Sequence, residues 1–500
     1  MHSSNTVASM QNHAPAVVEA PANTASSSQR LYLFLLCISV GLWLLPIANP
    51  FVLDETFSYW QADGGLLQLW PRTLGWPCSA LYPAFLWIAR AIGGNSEIVL
   101  RLPSVLAMLA AVYLIFRLAE KLFDRETAFV AAILFSTHAD VVAEAAQARA
   151  YGFALFFVAL SALLLVRWVE SYTIRDGIFF GAACAGIVYF HFLYAALLPA
   201  FALFLLVARR GKKSSPIPVV AAIFAFAVVL LPLLPIVRSL MGDPSQHTYS
   251  DPPPVGVIYS ALSPRAISGF VLWTLLIAVV TGRVARSNLP KRWNVLLPLS
   301  MAVLPVLLLF AMSKWTTMPV FINRYVLACV PGLAICWALP LRSVDSPLLR
   351  KLCCGGLVAL TAISASQDLR FPPYSWKYAL RVAEKITAED KAPVLMCSDH
   401  IESNYHPMSD LPATENPYLS PVSYYRLHAP IVALPRELND DAKARVTRFL
   451  NTGPRRRFLA MAFRPSYPTL DWIIRKSGAE FEAHQVGLYD GVAVVEFVPR

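Results

Sequence analysis

Two adjacent acids, Asp54 and Glu55, stand in the stretch Asn49–Trp60, NPFVLDETFSYW, directly after the first long apolar run. Carboxylates are costly near hydrocarbon, and those found there usually face a polar cavity and take part in function. Such a pair can accept a proton from a hydroxyl or help to hold a divalent cation. Phe51, Phe57, Tyr59 and Trp60 surround it in the manner of an interfacial aromatic belt. The plainer alternative is that Asp54 only caps a short helix starting at Thr56. A second group lies in THADVVAEAAQARAYGFALF, where Asp140, Glu144, Gln147, Arg149 and Tyr151 gather at the start of an apolar run. Glu144 and Gln147 are three apart, so a helix puts them on one face. Arg149 stands where a guanidinium can meet a phosphate at headgroup depth, or can simply snorkel as an anchor.

These residues need a scaffold, and composition says which kind. The 500-residue chain is 57% hydrophobic and only 15% charged, with a mean hydropathy of +0.53. That is too apolar for a soluble protein and predicts a multi-pass α-helical membrane protein. The net charge of +11 does not signal nucleic acid, because the basic residues collect in short loops between apolar runs. Six of the eight cysteines (Cys37, Cys184, Cys329, Cys336, Cys353 and Cys354) fall in or beside apolar runs without metal-ligand spacing, as small core residues do. Cys78 and Cys397 lie in segments placed outside the membrane, where a disulfide is chemically possible but supported by no pattern.

Three regions are expected. Residues 1–30 are rich in Ser, Ala, Asn and Pro and read as a disordered cytoplasmic tail. Residues 31–366 hold about eleven apolar runs, beginning with Leu31–Ala48, and form the transmembrane domain. The long first loop between the first two runs is aromatic and broken by Pro and Gly, and SALYPAFLWIARAIGG within it reads as an amphipathic surface helix. Alternating the sides of the loops places sixteen basic residues on one side and eight on the other. By the positive-inside rule the N-terminus is then cytoplasmic and Asp54 lies outside. An odd number of spans places residues 367–500 outside as well. In that stretch YSWKYALRVAEKI and DDAKARVTRFL look helical, while PVLMCS, PIVAL, RFLAMAF and VAVVEFV look like strands, which predicts a small extracytoplasmic α/β domain. Asp399, His400 and His406 lack metal-site spacing and are expected to be surface polar residues.

Taken in order, LDETFSYW, LRLPSVLAML, AQARAYGFALFFVALSALLLVRW, YFHFLYAALL and NRYVLACVPGLAI resemble the bacterial polyprenyl-phosphate-sugar glycosyltransferases. These belong to the integral-membrane C-type superfamily that includes protein O-mannosyltransferases and the lipid A aminoarabinose transferase. The resemblance covers roughly Asn49 to Leu341. It implies a catalytic acid at Asp54 with Glu55 beside it, and matches Arg149 and Tyr151 to a Q-E-A-R-x-Y motif. It also matches His191 to a T-H-Y-like motif and Arg324 with Tyr325 to a late R-Y pair. Two departures stand out. Gln147 replaces the family's Glu, unless Glu144 one turn earlier takes that role, and CSALYP lacks the His-Pro-Pro of the first loop.

The implied reaction moves a sugar from a polyprenyl-phosphate donor to a lipid, glycan or protein acceptor at the outer face of the cytoplasmic membrane. Asp54 would take the acceptor proton, with inversion at the anomeric carbon, while Arg149 and Arg324 hold the phosphate and Lys314 or Arg265 stand in reserve. His191 would bond sugar or phosphate, or be structural. Asp54 and Glu55 could bind a divalent cation, although no complete ligand set is evident and no other cofactor is implied. The rival class is a transporter or flippase of a lipid-linked sugar, whose buried charges would mark a path through the spans.

Overall fold

The computed structural model describes residues 22–75, 79–211, 215–242, 252–284, 292–316, 318–370, 375–406, 408–452 and 455–500. Among them, seven helices are long and apolar enough to cross a membrane, or up to nine if each of two sharply bent pairs is one span. The expected eleven full spans are not reproduced. The first apolar run ends early: its helix, Ala22–Leu42, begins inside the stretch expected to be a disordered tail, and residues 43–48, which include Pro46, form turns. Residues 1–21 of the expected tail lie outside the described residues, as does Cys78. Arg125–Ser136 and Ala139–Ala145 are bent by 67° against each other, so the run Thr127–Thr137 continues into a tilted second piece.

The long helices are apolar all round because one side meets protein and the other lipid. In Glu97–Leu122, capped by Ser96, the stripe Leu102, Leu106, Leu109 and Tyr113 is exposed while Leu100, Met108, Ala111 and Ile115 are fully buried. Tyr151–Ser171 packs closely on that helix. A Cβ at Gly152 would run into the carbonyl of Ser104, so only glycine permits the approach. The first helix is tied to Arg125–Ser136 by Ser39 Oγ with Ser136 Oγ (2.7 Å), by Trp43 Nε1 donating to the Ser136 carbonyl (3.0 Å), and by the Tyr32 hydroxyl donating to Glu126 (2.8 Å).

The first loop folds into three short helices, Leu53–Asp63, Leu66–Gly75 and Tyr82–Gly93. The last two are amphipathic. Leu66, Leu67 and Trp70 are exposed opposite buried Leu69, and Phe85, Ile88 and Ile92 opposite buried Tyr82 and Leu86.

The C-terminal domain carries one five-stranded sheet made of β1 (Val394–Cys397), β2 (Ile431–Leu434), β3 (Phe458–Phe463), β4 (Phe481–Tyr489) and β5 (Val492–Pro499). The order is β2-β1-β3-β5-β4, with β2, β1 and β3 parallel and β5 and β4 antiparallel additions. Alternation puts Val394 and Met396 against the helix Lys377–Thr387 on one face. Leu395 and Cys397 face Asp440–Asn451 and Tyr467–Ser477 on the other. The sequence reading omits β4 because it is a polar edge strand, largely exposed, with little hydrophobic alternation to read.

This domain is seated on the first loop. The Phe51 N–H donates to the Tyr425 hydroxyl (2.7 Å), Trp60 Nε1 to the Thr414 carbonyl (3.0 Å) and the Tyr424 hydroxyl to the Asn95 carbonyl (2.7 Å), and Lys377 pairs with Glu97 at 2.6 Å. Asp399 and His400, expected on the surface, are buried, with 3% and 8% of their surface exposed. Phe57 of the first loop packs on the His400 ring, and no local pattern signals a contact between regions so far apart in sequence.

Candidate active site

Asp54 and Glu55 occupy the first turn of Leu53–Asp63, and the helix turns them to opposite purposes. Glu55 is fully engaged. Its Oε1 and Oε2 accept from Arg101 Nε (2.8 Å) and Nη2 (2.6 Å), and also from the backbone N–H groups of Ala148 (2.7 Å) and Val52 (3.1 Å). The same guanidinium donates to the carbonyls of Pro46, Ile47, Asn49 and Pro50, at 2.7–3.3 Å. Only 1% of the Glu55 side chain and 5% of that of Arg101 is exposed. This buried fork ties the end of the first helix, the acid-bearing helix and the loop at Ala148 into one unit.

Asp54 keeps 35% of its side chain open. Its Oδ2 accepts from Arg324 Nη1 at 2.5 Å and lies 3.6 Å from Arg149 Nη2, while Arg149 Nη1 donates to the Asp54 backbone carbonyl at 3.0 Å. Burial pushes the carboxyl pKa up, but the charges of Arg149 and Arg324 outweigh it and hold Asp54 below the usual carboxylate range. Each arginine is fixed by its own backbone. The Arg149 carbonyl accepts from Ser104 Oγ (2.8 Å), and the Arg324 carbonyl from the Tyr194 hydroxyl (3.0 Å).

The remaining sequence-predicted residues converge here. Arg149 lies 5.7 Å from the centre of the Tyr151 ring, and Arg324 5.5 Å from that of Tyr325. The His191 ring sits among Tyr151 (5.5 Å), Tyr194 (4.3 Å) and Tyr325 (5.2 Å). Glu144 is near enough to Arg149 and Arg324 to feel both charges, and its Oε2 is buried without a hydrogen-bond partner among the described residues. Gln147 turns back to the carbonyl of Ala143 (2.9 Å). Lys314 and Arg265 are exposed and form no ion pair among the described residues.

Three participants escape the sequence reading. Arg101 registers there only as a loop charge, although an arginine in the first turns of an apolar helix is itself a signal. Tyr194 carries no such mark. His400 reaches the acid-bearing helix from the C-terminal domain, with its ring 5.6 Å from Phe57 and Nε2 bonded to Ser420 Oγ (3.0 Å), itself 3.2 Å from Thr56 Oγ1. Burial lowers the pKa of this imidazole.

Asp54 and Glu55 do not form a two-carboxylate metal site, because both oxygens of Glu55 are committed to Arg101 and backbone donors. No group of three or more His, Cys, Asp or Glu side chains placed to hold a metal ion occurs among the described residues.

Residues 79–235 match the family described as dolichyl-phosphate-mannose-protein mannosyltransferase. No curated protein matches the chain by sequence. Among solved structures, ArnT from Cupriavidus metallidurans in the apo state is similar with a TM-score of 0.56 and 10% identity, over 94% of this chain and 98% of that one. The same protein bound to undecaprenyl phosphate gives 0.53 and 11%, over 93% and 97%. The arabinofuranosyltransferase AftD from Mycobacteria gives 0.50 and 12%, over 94% of this chain and 40% of that one. The matching family segment lies inside a whole-chain fold that is similar to that of ArnT.

Proposed function

We propose that the chain transfers a sugar from a polyprenyl-phosphate donor to a lipid, glycan or protein acceptor at the outer face of the cytoplasmic membrane. The observation that carries this reading is the bridging of one open carboxylate, Asp54, by two guanidiniums beside a wall of tyrosines. Two arginine forks suit a phosphate, and the aromatic faces suit a sugar ring. Sixteen basic loop residues against eight support an outer location for Asp54, a cytoplasmic N-terminus and an extracytoplasmic C-terminal domain. The bound state of ArnT, with undecaprenyl phosphate, supports a lipid phosphate as the group the arginines meet.

The ion pairs give the mechanism its order. Without donor, Arg149 and Arg324 neutralise Asp54 and keep it a weak base. A donor phosphate that draws the two guanidiniums away removes their charge from Asp54, and its proton affinity rises. The acceptor hydroxyl then gives its proton to Asp54 as its oxygen bonds to the anomeric carbon. The bond from that carbon to the phosphate oxygen breaks, and its electron pair leaves with the phosphate, which the arginines stabilise. Glu55 positions rather than reacts: it holds the Ala148 N–H, one residue before Arg149. The test is transfer of labelled sugar from purified polyprenyl-phosphate donors by the protein in lipid nanodiscs. Transfer by wild type and none by Asp54→Asn is expected. Wild-type turnover by Asp54→Asn would falsify the catalytic role and bring the transporter reading forward.

A further inference from the structure

A second cavity, of about 440 Å³, opens between the first loop and the C-terminal domain and shares no lining residue with the Asp54 cluster. Its size lies within the range of small-molecule sites, roughly 300–1,000 Å³, and seams between domains are favoured places for them. One wall is aromatic and rigid. Tyr424 stacks on Phe51 (4.6 Å) and meets Tyr59 and Tyr425 edge to face, each at 4.8 Å, and the hydroxyls of Tyr424 and Tyr425 are anchored to backbone groups of the first loop.

The other wall is cationic. Lys377 is matched by Glu97 at 2.6 Å, whereas the side chains of Arg381 and Arg426 form no ion pair or hydrogen bond among the described residues. Arg426 also holds an unusual backbone, with φ 54° and ψ 124°, at the end of the helix Ser420–Tyr425. Glycine would adopt that conformation without strain, so an arginine there is kept against a local preference. Fixed tyrosine faces and two unmatched guanidinium forks select a ring that carries an anion.

We propose that this cavity is a subsite for an acidic saccharide unit of the acceptor, with the tyrosines against the sugar ring and Arg381 and Arg426 on its carboxylate or phosphate. The assignment rests on the glycosyltransferase reading above. Tyr59 follows Asp54 by five residues, which is about 7.5 Å along the helix and about 140° around it. The subsite therefore lies close to the reacting carboxylate but on a different face of its helix.

The experiment measures binding of trigalacturonate, and of the neutral galactotriose, to the protein in uncharged nanodiscs by calorimetry. Trigalacturonate should bind at least tenfold more tightly than galactotriose and weaken with salt. That preference should vanish in Arg381→Ala/Arg426→Gly and persist in Arg324→Ala. Equal binding of the two sugars, or a preference untouched by the double variant, overturns the subsite. Arg426→Gly alone separates binding from folding, because relief of strain should hold or raise the melting temperature while trigalacturonate affinity falls. Unchanged affinity in that variant also overturns it. If acidic-sugar binding behaves as expected but no transfer is found, the cavity stands as an acidic-saccharide site and the transferase reading alone fails.

Discussion

Asp54 and Glu55 are neighbours in sequence and share one helical turn, yet their surroundings are opposites. Glu55 lies in a closed knot with Arg101, two backbone N–H groups and almost no solvent, and every lone pair has a use within the fold. Asp54 lies in an open cluster, with a third of its side chain exposed and two arginines reaching its carboxylate. A closed knot positions; an open one can exchange partners. An acid–arginine pair is therefore not evidence of chemistry by itself, and what separates the two is whether a ligand could take the arginine without leaving a buried charge alone.

The largest expected effect sharpens that contrast. Asp54→Asn should lower turnover by about a hundred- to ten-thousandfold while donor binding stays close to wild type and the melting transition falls only slightly, since Asn keeps the shape of Asp and its capacity to cap. Glu55→Ala should do the reverse. Removal of one partner strands Arg101 in the interior, at about 3–5 kcal/mol of stability, read by chemical or thermal unfolding in detergent. Exchange of both partners, Glu55→Leu with Arg101→Met, should recover part of the loss, but not all, because Arg101 also holds four carbonyls. If Glu55→Ala melts like wild type and is as inactive as Asp54→Asn, the contrast is wrong and both acids belong to the reaction.

Next come the open cluster's arginines. Arg149→Lys and Arg324→Lys keep charge but lose the planar fork, so donor affinity should fall about tenfold, close to 1.4 kcal/mol. Binding of the lipid donor by Arg149→Ala and Arg324→Ala at wild-type strength would remove the phosphate role. The smallest effect is on acid stability. The folded pKa of Asp54 lies below its unfolded one, so its ion pairs stabilise in full above about pH 4 and that contribution is lost as pH falls through the lower folded value. Unfolding curves of wild type and Asp54→Asn should therefore converge at low pH and separate above it. Curves that coincide at every pH would mean that Arg149 and Arg324 do not hold Asp54 in solution.

The sequence by itself determined the class of the protein and most of the candidate site, because membranes impose local rules. Long apolar runs must be helical, basic loops mark one side, and a carboxylate beside such a run needs a reason to be there. Those rules mark Asp54 and Arg149, and motif order adds Tyr151, His191, Arg324 and Tyr325, which the fold draws together. Four of the five strands and two of the main helices of the last domain are also legible from alternation and periodicity, whereas β4 carries too weak a pattern. Tertiary structure alone decided which acid is free. The partner of Glu55, Arg101, is 46 residues away, and that of Asp54, Arg324, is 270 away. Tertiary structure likewise placed His400 against Phe57 and made a cavity from Tyr59 and Arg426, residues with no common local signal. Local pattern reports how a segment meets water or lipid; pairing between distant segments depends on how the packed helices and the seated domain orient their faces.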